Sequence, residues 1–304
     1  MNIEETSLKH LLDVDEVLEK EVIDVFQNNS EKGDVFISMI APYVGVRLTP
    51  SKESIATIGL SEEFGVETVI EKIKKLSPKS ERLYLLINSP GGFVGSSYKV
   101  AKALRENFKE IIVFVPHIAA SGGTLIALTG NKVVMGMMSQ ITPIDPHSNG
   151  IPALSVKRGF ETATDMFKKL SEEDAPYTWR ILAEKHDPIK LDMALASLGL
   201  SMTYAKEILS KSGYKDEKID MIAEELVYGC ILHEQVINLD KAKKIGINVF
   251  PHTEYLKLWN AFRFMLGKYV LRSANKHIIR YWINNPKTKT IKSTKKRTKR
   301  GTKK

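Results

Sequence analysis

Apolar positions along this chain change their period repeatedly, and the changes predict alternating helices and strands. From Leu11 to Phe26, residues Leu12, Val14, Val17, Leu18, Val22, Ile23 and Phe26 recur at helical spacing against an acidic face. Val35 to Ile40 reads as a strand. Val66, Val69, Ile70, Ile73 and Leu76 mark one side of a helix, which the turn-forming Ser77-Pro78-Lys79-Ser80 closes. Leu83 to Ile87 carries no charge, as expected of a parallel strand covered on both faces. Gly95-Ser96-Ser97 is expected to open a helix with a serine cap, and Val100, Ala101, Leu104 and Phe108 line its buried side. Ile111 to Val115 returns as a strand, Thr124 to Leu128 forms a short helix ended by Gly130 and Asn131, and Val133 to Met135 is strand again. Such strand–helix–strand steps predict an α/β core with right-handed crossovers.

The second half of the chain reads as mainly helical. Pro176 and Pro188 punctuate it, and Met202, Ala205, Ile208 and Leu209 mark a short amphipathic helix. Met221 to Val236 carries a longer apolar face, and Asp240 to Lys244 forms a helix before Gly246. From Glu254 onward, Leu256, Trp259, Phe262, Met265, Leu266, Tyr269 and Val270 build a broad face that reads as continuing through Ile278 to Ile283. Core or subunit packing is its expected role. The alternative is a membrane surface, with Arg263, Lys268, Arg272 and Lys276 beside the aromatics. The expected organisation is a helical segment over 1–30, an α/β catalytic core over 31–150, a helical completion, substrate-groove and oligomerisation region over 151–285, and a basic disordered tail over 286–304.

Within this pattern one serine stands where chemistry is expected. Ser121, in Ala119-Ala120-Ser121-Gly122-Gly123-Thr124, falls between a strand and a helix. About thirty residues upstream, the preceding strand runs into Asn88-Ser89-Pro90-Gly91-Gly92. A hydroxyl on a strand-to-helix turn beside side-chain-free backbone amides suits acyl transfer, because the oxyanion needs donors that can approach closely. No Gly-x-Gly-x-x-Gly, no Gly-x-x-x-x-Gly-Lys-Ser/Thr and no His-Glu-x-x-His is present, so no dinucleotide, phosphate-loop or zinc site is expected. Neither a cofactor nor a metal is called for.

Leu85-Leu86-Ile87-Asn88-Ser89-Pro90-Gly91-Gly92 followed by Ala120-Ser121-Gly122-Gly123-Thr124-Leu125-Ile126-Ala127-Leu128 resembles the caseinolytic-protease/crotonase superfamily. The closer match is its signal-peptide-peptidase-A-like branch of serine dehydrogenase proteinases, whose segment after the serine helix is similar to Thr142-Pro143-Ile144-Asp145-Pro146. Clear similarity spans residues 80 to 147, with a looser echo over 225 to 250. The resemblance implies a crotonase-like core of repeated β-β-α units with C-terminal helices. It implies a serine peptidase with Ser121 as nucleophile, and an oxyanion hole drawn from Gly91, Gly92 and Gly122. It also implies peptide or protein substrates and assembly into homo-oligomers.

The general base is less sharply marked. His147, 26 residues after Ser121, lies near the separation at which the caseinolytic-protease branch places its histidine. A neutral imidazole there is a suitable proton acceptor. Lys168, Lys169 and Lys185 are the alternatives, since the signal-peptide-peptidase-A-like enzymes use a desolvated lysine. Asp145 is expected to accept loop amides, and His117 to line a pocket.

Charge changes the picture only at one end. The chain carries +9, and residues 287–304 hold eight lysines and two arginines with no acid. Subtracting those ten charges from +9 leaves the remainder at −1. The tail is therefore the expected site of any weak, nonspecific contact with nucleic acid or an anionic surface. Cys230 is the single cysteine and reads as a core thiol, which fits a reducing compartment. With no long apolar run and no basic-then-apolar leader, a cytoplasmic protein without a transmembrane segment is expected. Two other functions stay open: an inactive scaffold that binds peptides or nucleic acid, and a crotonase relative that handles acyl thioesters.

Overall fold

The uncharged apolar runs pair with one another, since strands buried on both faces can satisfy their backbone only through neighbouring strands. The computed structural model describes residues 20–42, 56–148, 150–168, 177–270 and 277–284. Helix α1 (Lys20–Asn28) buries Val22 and Phe26 and leads to β1 (Val35–Ile40). The expected first turns of that helix, residues 11–19, lie outside the described residues, as do Lys169 and the basic tail. Then follow α2 (Leu60–Leu76), β2 (Arg82–Asn88), α3 (Val94–Asn107), β3 (Glu110–Val115), the short β4 (Ile118–Ala119), α4 (Gly122–Ala127) and β5 (Lys132–Met135). After β6 (Gln140–Ile141), β7 (His147–Ser148) and β8 (Ile151–Pro152), the helices α5 (Ala153–Lys168), α6 (Tyr177–Glu184), α7 (Pro188–Lys211), α8 (Asp216–Val227) and α9 (Leu239–Ile245) complete one side. The strand β9 (Val249–Pro251), helix α10 (Leu256–Val270) and strand β10 (Ile278–Ile283) close the chain.

The main sheet has the order β10-β1-β2-β3-β5-β9. All its pairings are parallel except β1 with β10. After each of three main strands the chain makes a short secondary pairing. Behind β2, Ser89 bridges Ala119 and Gly92 bridges Ile58; behind β3, β4 pairs with β6; behind β5, Ile141 in β6 bridges Ile237. A helix follows the first two of these steps, which gives the β-β-α repeat of a ClpP-like α/β fold. Two apolar layers cover the sheet. Ile37, Met39, Leu85, Ile87, Val113 and Val115 face the layer of α2, α3, α4, α7 and α8. Phe36, Tyr84, Leu86 and Phe114 face α1 and α10.

Several boundaries differ from the sequence reading. The largest difference concerns Ile278 to Ile283, which is not a continuation of the preceding helix but an edge strand paired antiparallel with β1, Val35 opposite Ile283 and Ile40 opposite Ile278. The segment is apolar at every position except Arg280, so periodicity could not separate buried helix from buried strand. The helix α10 itself packs on the sheet through Leu258, Trp259, Phe262, Met265, Leu266 and Tyr269, the core role rather than the membrane one. The short helix expected around Met202 to Leu209 is part of a 24-residue helix that Pro188 starts, with the Asp187 carboxylate accepting the amides of Ile189 and Lys190. The helix from Asp216 stops at Val227, so Tyr228 to Val236 are not helical. The helix α3 begins at Val94 with Phe93 as its N-terminal cap residue and no side-chain cap bond, which moves Ser96 and Ser97 into its first turn.

Phe262 shows what the α10 side contributes. It is fully buried, stacks on Phe36 at 4.6 Å between centroids and meets Phe114 edge-on at 4.9 Å. Phe262→Ala is expected to destabilise the fold by about 3 to 5 kcal/mol, read as a lowered midpoint in urea unfolding.

Candidate active site

At the carboxyl ends of β2 and β3 the chain makes two turns that touch. Ser121 has φ 48° and ψ −111°, and it is the one non-glycine residue with positive φ among the described residues. Its neighbours are Ala119, Ala120, Gly122 and Gly123, small enough to let so sharp a strand-to-helix turn close. Such a conformation costs about 1 to 3 kcal/mol and persists only where surrounding contacts enforce it. Those contacts are present. The Ser121 N–H donates to Thr142 Oγ1 at 2.9 Å, and Leu125 N–H donates to the Ser121 carbonyl at 3.1 Å. Thr124 Oγ1 lies 2.8 Å from the carbonyl oxygens of both Ala119 and Thr142, which share its one hydroxyl proton.

Gly91 lies directly against this turn. Its φ is 97°, and a Cβ there would sit 2.6 Å from the Ala120 carbonyl oxygen, 3.0 Å from Ser121 Cβ and 3.1 Å from the Gly122 nitrogen. Only glycine satisfies both the backbone angle and the approach. Gly92 is held from the other side: Ile58 N–H donates to the Gly91 carbonyl at 2.8 Å, and Phe93 N–H donates to the Ile58 carbonyl at 2.9 Å. In such a parallel bridge the N–H of Gly92 points away from Ile58. A Cβ on Gly122 would lie 3.3 Å from that Gly92 nitrogen and would run into the Ser97 hydroxyl. The Gly122 N–H belongs to the first turn of α4, where helix amides lack internal partners. Neither the Gly92 nor the Gly122 amide has an acceptor among the described residues. Ser97 Oγ, fully buried beside them, also has none.

Behind the glycine turn sits a buried polar group that the sequence reading did not anticipate. The Gly91 N–H donates to Ser89 Oγ at 3.0 Å, and Ser89 Oγ lies 2.8 Å from His277 Nε2. His277 Nδ1 faces Glu62 Oε1 at 3.4 Å, and the His277 backbone N–H donates to the same oxygen at 3.2 Å. Glu62 Oε2 accepts from Gly59 N–H at 2.9 Å and from the Ser61 hydroxyl at 2.8 Å. Burial pushes the Glu62 carboxyl upward more than any other single influence does. The hydrogen bond and charge of His277, together with the Gly59 and Ser61 donors, outweigh it and hold the group down at about 2. Ser89 and His277 are separated by 188 residues, so no local spacing could announce the pair.

The other sequence-selected residues lie elsewhere. Asp145 is buried and accepts the Leu154 amide at 3.0 Å, a loop-holding contact, and burial pushes its carboxyl up. His147 is exposed, and its ring lies 4.0 Å from that of His233. His233 is held below the usual imidazole range by burial and by His147. Lys168 is exposed and faces Asp165 at 3.7 Å, and Lys185 is exposed at the end of α6. Ser121 Oγ has no hydrogen-bond partner among the described residues. His117 lines a cavity of about 650 Å³ with Met137, Met138, His252, Trp259 and Arg263. Cys230 is buried, with burial raising its thiol. Among the described residues no three or more His, Cys, Asp or Glu are grouped to hold a metal. No described helix is long and apolar enough to cross a membrane.

A strained serine turn thus packs on a glycine turn at the ends of the parallel strands of an α/β protein. Residues 61–258 match the model of the ClpP-like SDH-type serine proteinases, and the chain belongs to that family. Two uncharacterized proteins of Methanocaldococcus jannaschii are each 30% identical to it over 183 residues, 60% of this chain. The matched stretch spans 58% and 56% of their lengths, so the chain corresponds to little more than half of either relative. A variant of the 1510-N membrane-bound stomatin-specific protease overlays with a TM-score of 0.42 at 19% identity, over 67% of this chain and 80% of its own.

Two outcomes follow from this geometry. Ser121→Gly removes the side chain that makes positive φ costly, and is expected to exceed Ser121→Ala in stability by about 1 kcal/mol in urea unfolding. The ionised form of Glu62 stabilises the fold, because its folded value, about 2, lies below its ordinary one of 4.5. Its contribution is whole above pH 4.5 and is lost as pH falls toward 2. The stability gap between wild type and Glu62→Gln should therefore close across that window.

Proposed function

We propose that this chain hydrolyses peptide bonds through Ser121, with the Gly92 and Gly122 amides receiving the oxyanion. The observation that carries the reading is the strained Ser121 turn, φ 48°, closed against Gly91 beside two amides that have no acceptor among the described residues. Membership of a serine proteinase family supports it. Ser121 Oγ attacks the carbonyl carbon and passes its proton to a base. Charge collects on the carbonyl oxygen between the two amides, the C–N bond breaks, and the departing amine takes the proton. Water then releases the acyl group by the same steps. We assign the base to His147, five residues beyond the Thr142 that holds the Ser121 amide. Its ring must leave His233 and come within about 2.6 to 3.2 Å of Ser121 Oγ. Lys168 is exposed and already faces Asp165 at 3.7 Å. Peptide substrates, homo-oligomeric assembly and a cytoplasmic location complete the reading. We place any contact with anionic surfaces in residues 287–304, apart from the chemistry.

One observation favours a second reading, a peptide-binding scaffold without turnover: Ser121 Oγ has no basic partner among the described residues. A serine-reactive fluorophosphonate separates the two. Labelling of wild type that disappears in Ser121→Ala, with peptide hydrolysis falling at least 1000-fold, is the expected result (about 10⁴ and above is usual for a lost nucleophile). Peptide hydrolysis by Ser121→Ala at the wild-type rate overturns the assignment. Folded His147→Ala with full activity moves the base elsewhere.

A further inference from the structure

We propose that Glu62, His277 and Ser89 form a buried relay that positions the oxyanion turn, acting on Gly91 and through it on the Gly92 amide. The inference rests on the peptidase reading for its kinetic consequence and on geometry alone for its structural one. An ionised carboxylate only accepts, so the His277 Nδ1 facing Glu62 Oε1 carries the imidazole proton. Nε2 and Ser89 Oγ, 2.8 Å apart, share one hydrogen bond whose direction follows the state of the ring. The Ser89 oxygen accepts the Gly91 N–H at 3.0 Å. Glu62, which also accepts the His277 backbone N–H at 3.2 Å, is thereby joined through His277 and Ser89 to the Gly91 amide in one buried polar series.

The order of groups is that of a hydrolytic Ser–His–acid triad, but the serine is closed to substrate. Ser89 is 0% exposed, and Glu62 and His277 are 2% and 3% exposed. Ser89 meets the Ser121 turn through its backbone carbonyl, which accepts the Ala120 N–H at 2.9 Å, and holds Gly91 through its side chain, which accepts the Gly91 N–H. The relay therefore acts as a brace. Glu62 fixes the start of α2 through Gly59, His277 brings in the residue just before β10, and Ser89 joins both to the end of β2. A donor that stabilises only the transition state must be fixed in advance, and a small displacement of its support is felt in turnover rather than in substrate binding.

Ser89→Ala and His277→Gln test this, each checked for folding by circular dichroism and urea unfolding. Two measurements are read. In the resting protein, the imidazole ¹⁵N spectrum should show His277 protonated at Nδ1, and the Gly91 and Gly92 amide resonances should shift in both variants while that of the remote Gly246 stays. In turnover, kcat should fall about tenfold or more with KM unchanged, less than the 100- to 1000-fold loss of an oxyanion donor itself. Unmoved Gly91 and Gly92 resonances overturn the relay whether or not the protein proves to be a peptidase. An active wild type whose folded variants keep their kcat, or lose only KM, overturns the positioning role while leaving Ser121 as nucleophile. A wild type that neither labels nor hydrolyses peptides refutes the peptidase reading, and the resonances then decide the relay alone. If Ser89→Ala does not fold, His277→Gln decides both measurements.

Discussion

Two stretches of backbone, Pro90–Gly92 and Ala120–Gly122, approach more closely than any side chain would permit, and the surrounding structure is arranged to keep them there. A Cβ at Gly91 would stand 2.6 Å from the Ala120 carbonyl. That proximity forces glycine on one turn, small residues on the other and an unusual backbone angle on Ser121. Side chains cannot fill such a contact, so its energy must come from outside: from the parallel β2–β3 pairing that aims both turns the same way, and from Thr142, Ile58 and Ser89, which hold the exposed backbone by hydrogen bonds. The same crowding leaves amides facing the cleft rather than one another.

This constraint gives meaning to the two apolar layers. A turn under local strain stays in place only if the strands beneath it do not slide, and β1, β2 and β3 are buried on both faces. The aromatic layer of Phe36, Phe114 and Phe262 on one side and the aliphatic layer under α3 and α4 on the other fix register from opposite directions. Stability accumulated in the sheet is what sustains an unfavourable conformation at one serine.

The central β-strands were readable from the chain because uncharged runs of five or six residues bounded by turn formers have few other solutions. The strand–turn–helix order around Ser121 was readable for the same reason, and so was the adjacency of neighbouring parallel strands that brings Gly91 near it. What could not be read followed a different logic. Ile278 to Ile283 is apolar on both sides because it is covered on both sides, and this erases the period that separates strand from helix. Ser89 reads from the chain only as part of the Asn88-to-Gly92 turn, and nothing local marks Glu62 or His277. Their association spans 215 residues of chain between Glu62 and His277, and only packing brings it about. A proton acceptor for Ser121 has the same character, since an isolated histidine or lysine carries no local mark of where the fold will take it.

The reach of that association has a consequence for the life of the molecule. His277 lies 156 residues after Ser121, a stretch that takes about 10 to 30 s to synthesise at usual elongation rates. During that interval the nascent chain already contains Ser89 and Ser121 but lacks the partner of Ser89. The brace on the Gly91 turn is therefore completed only once β10 docks beside β1.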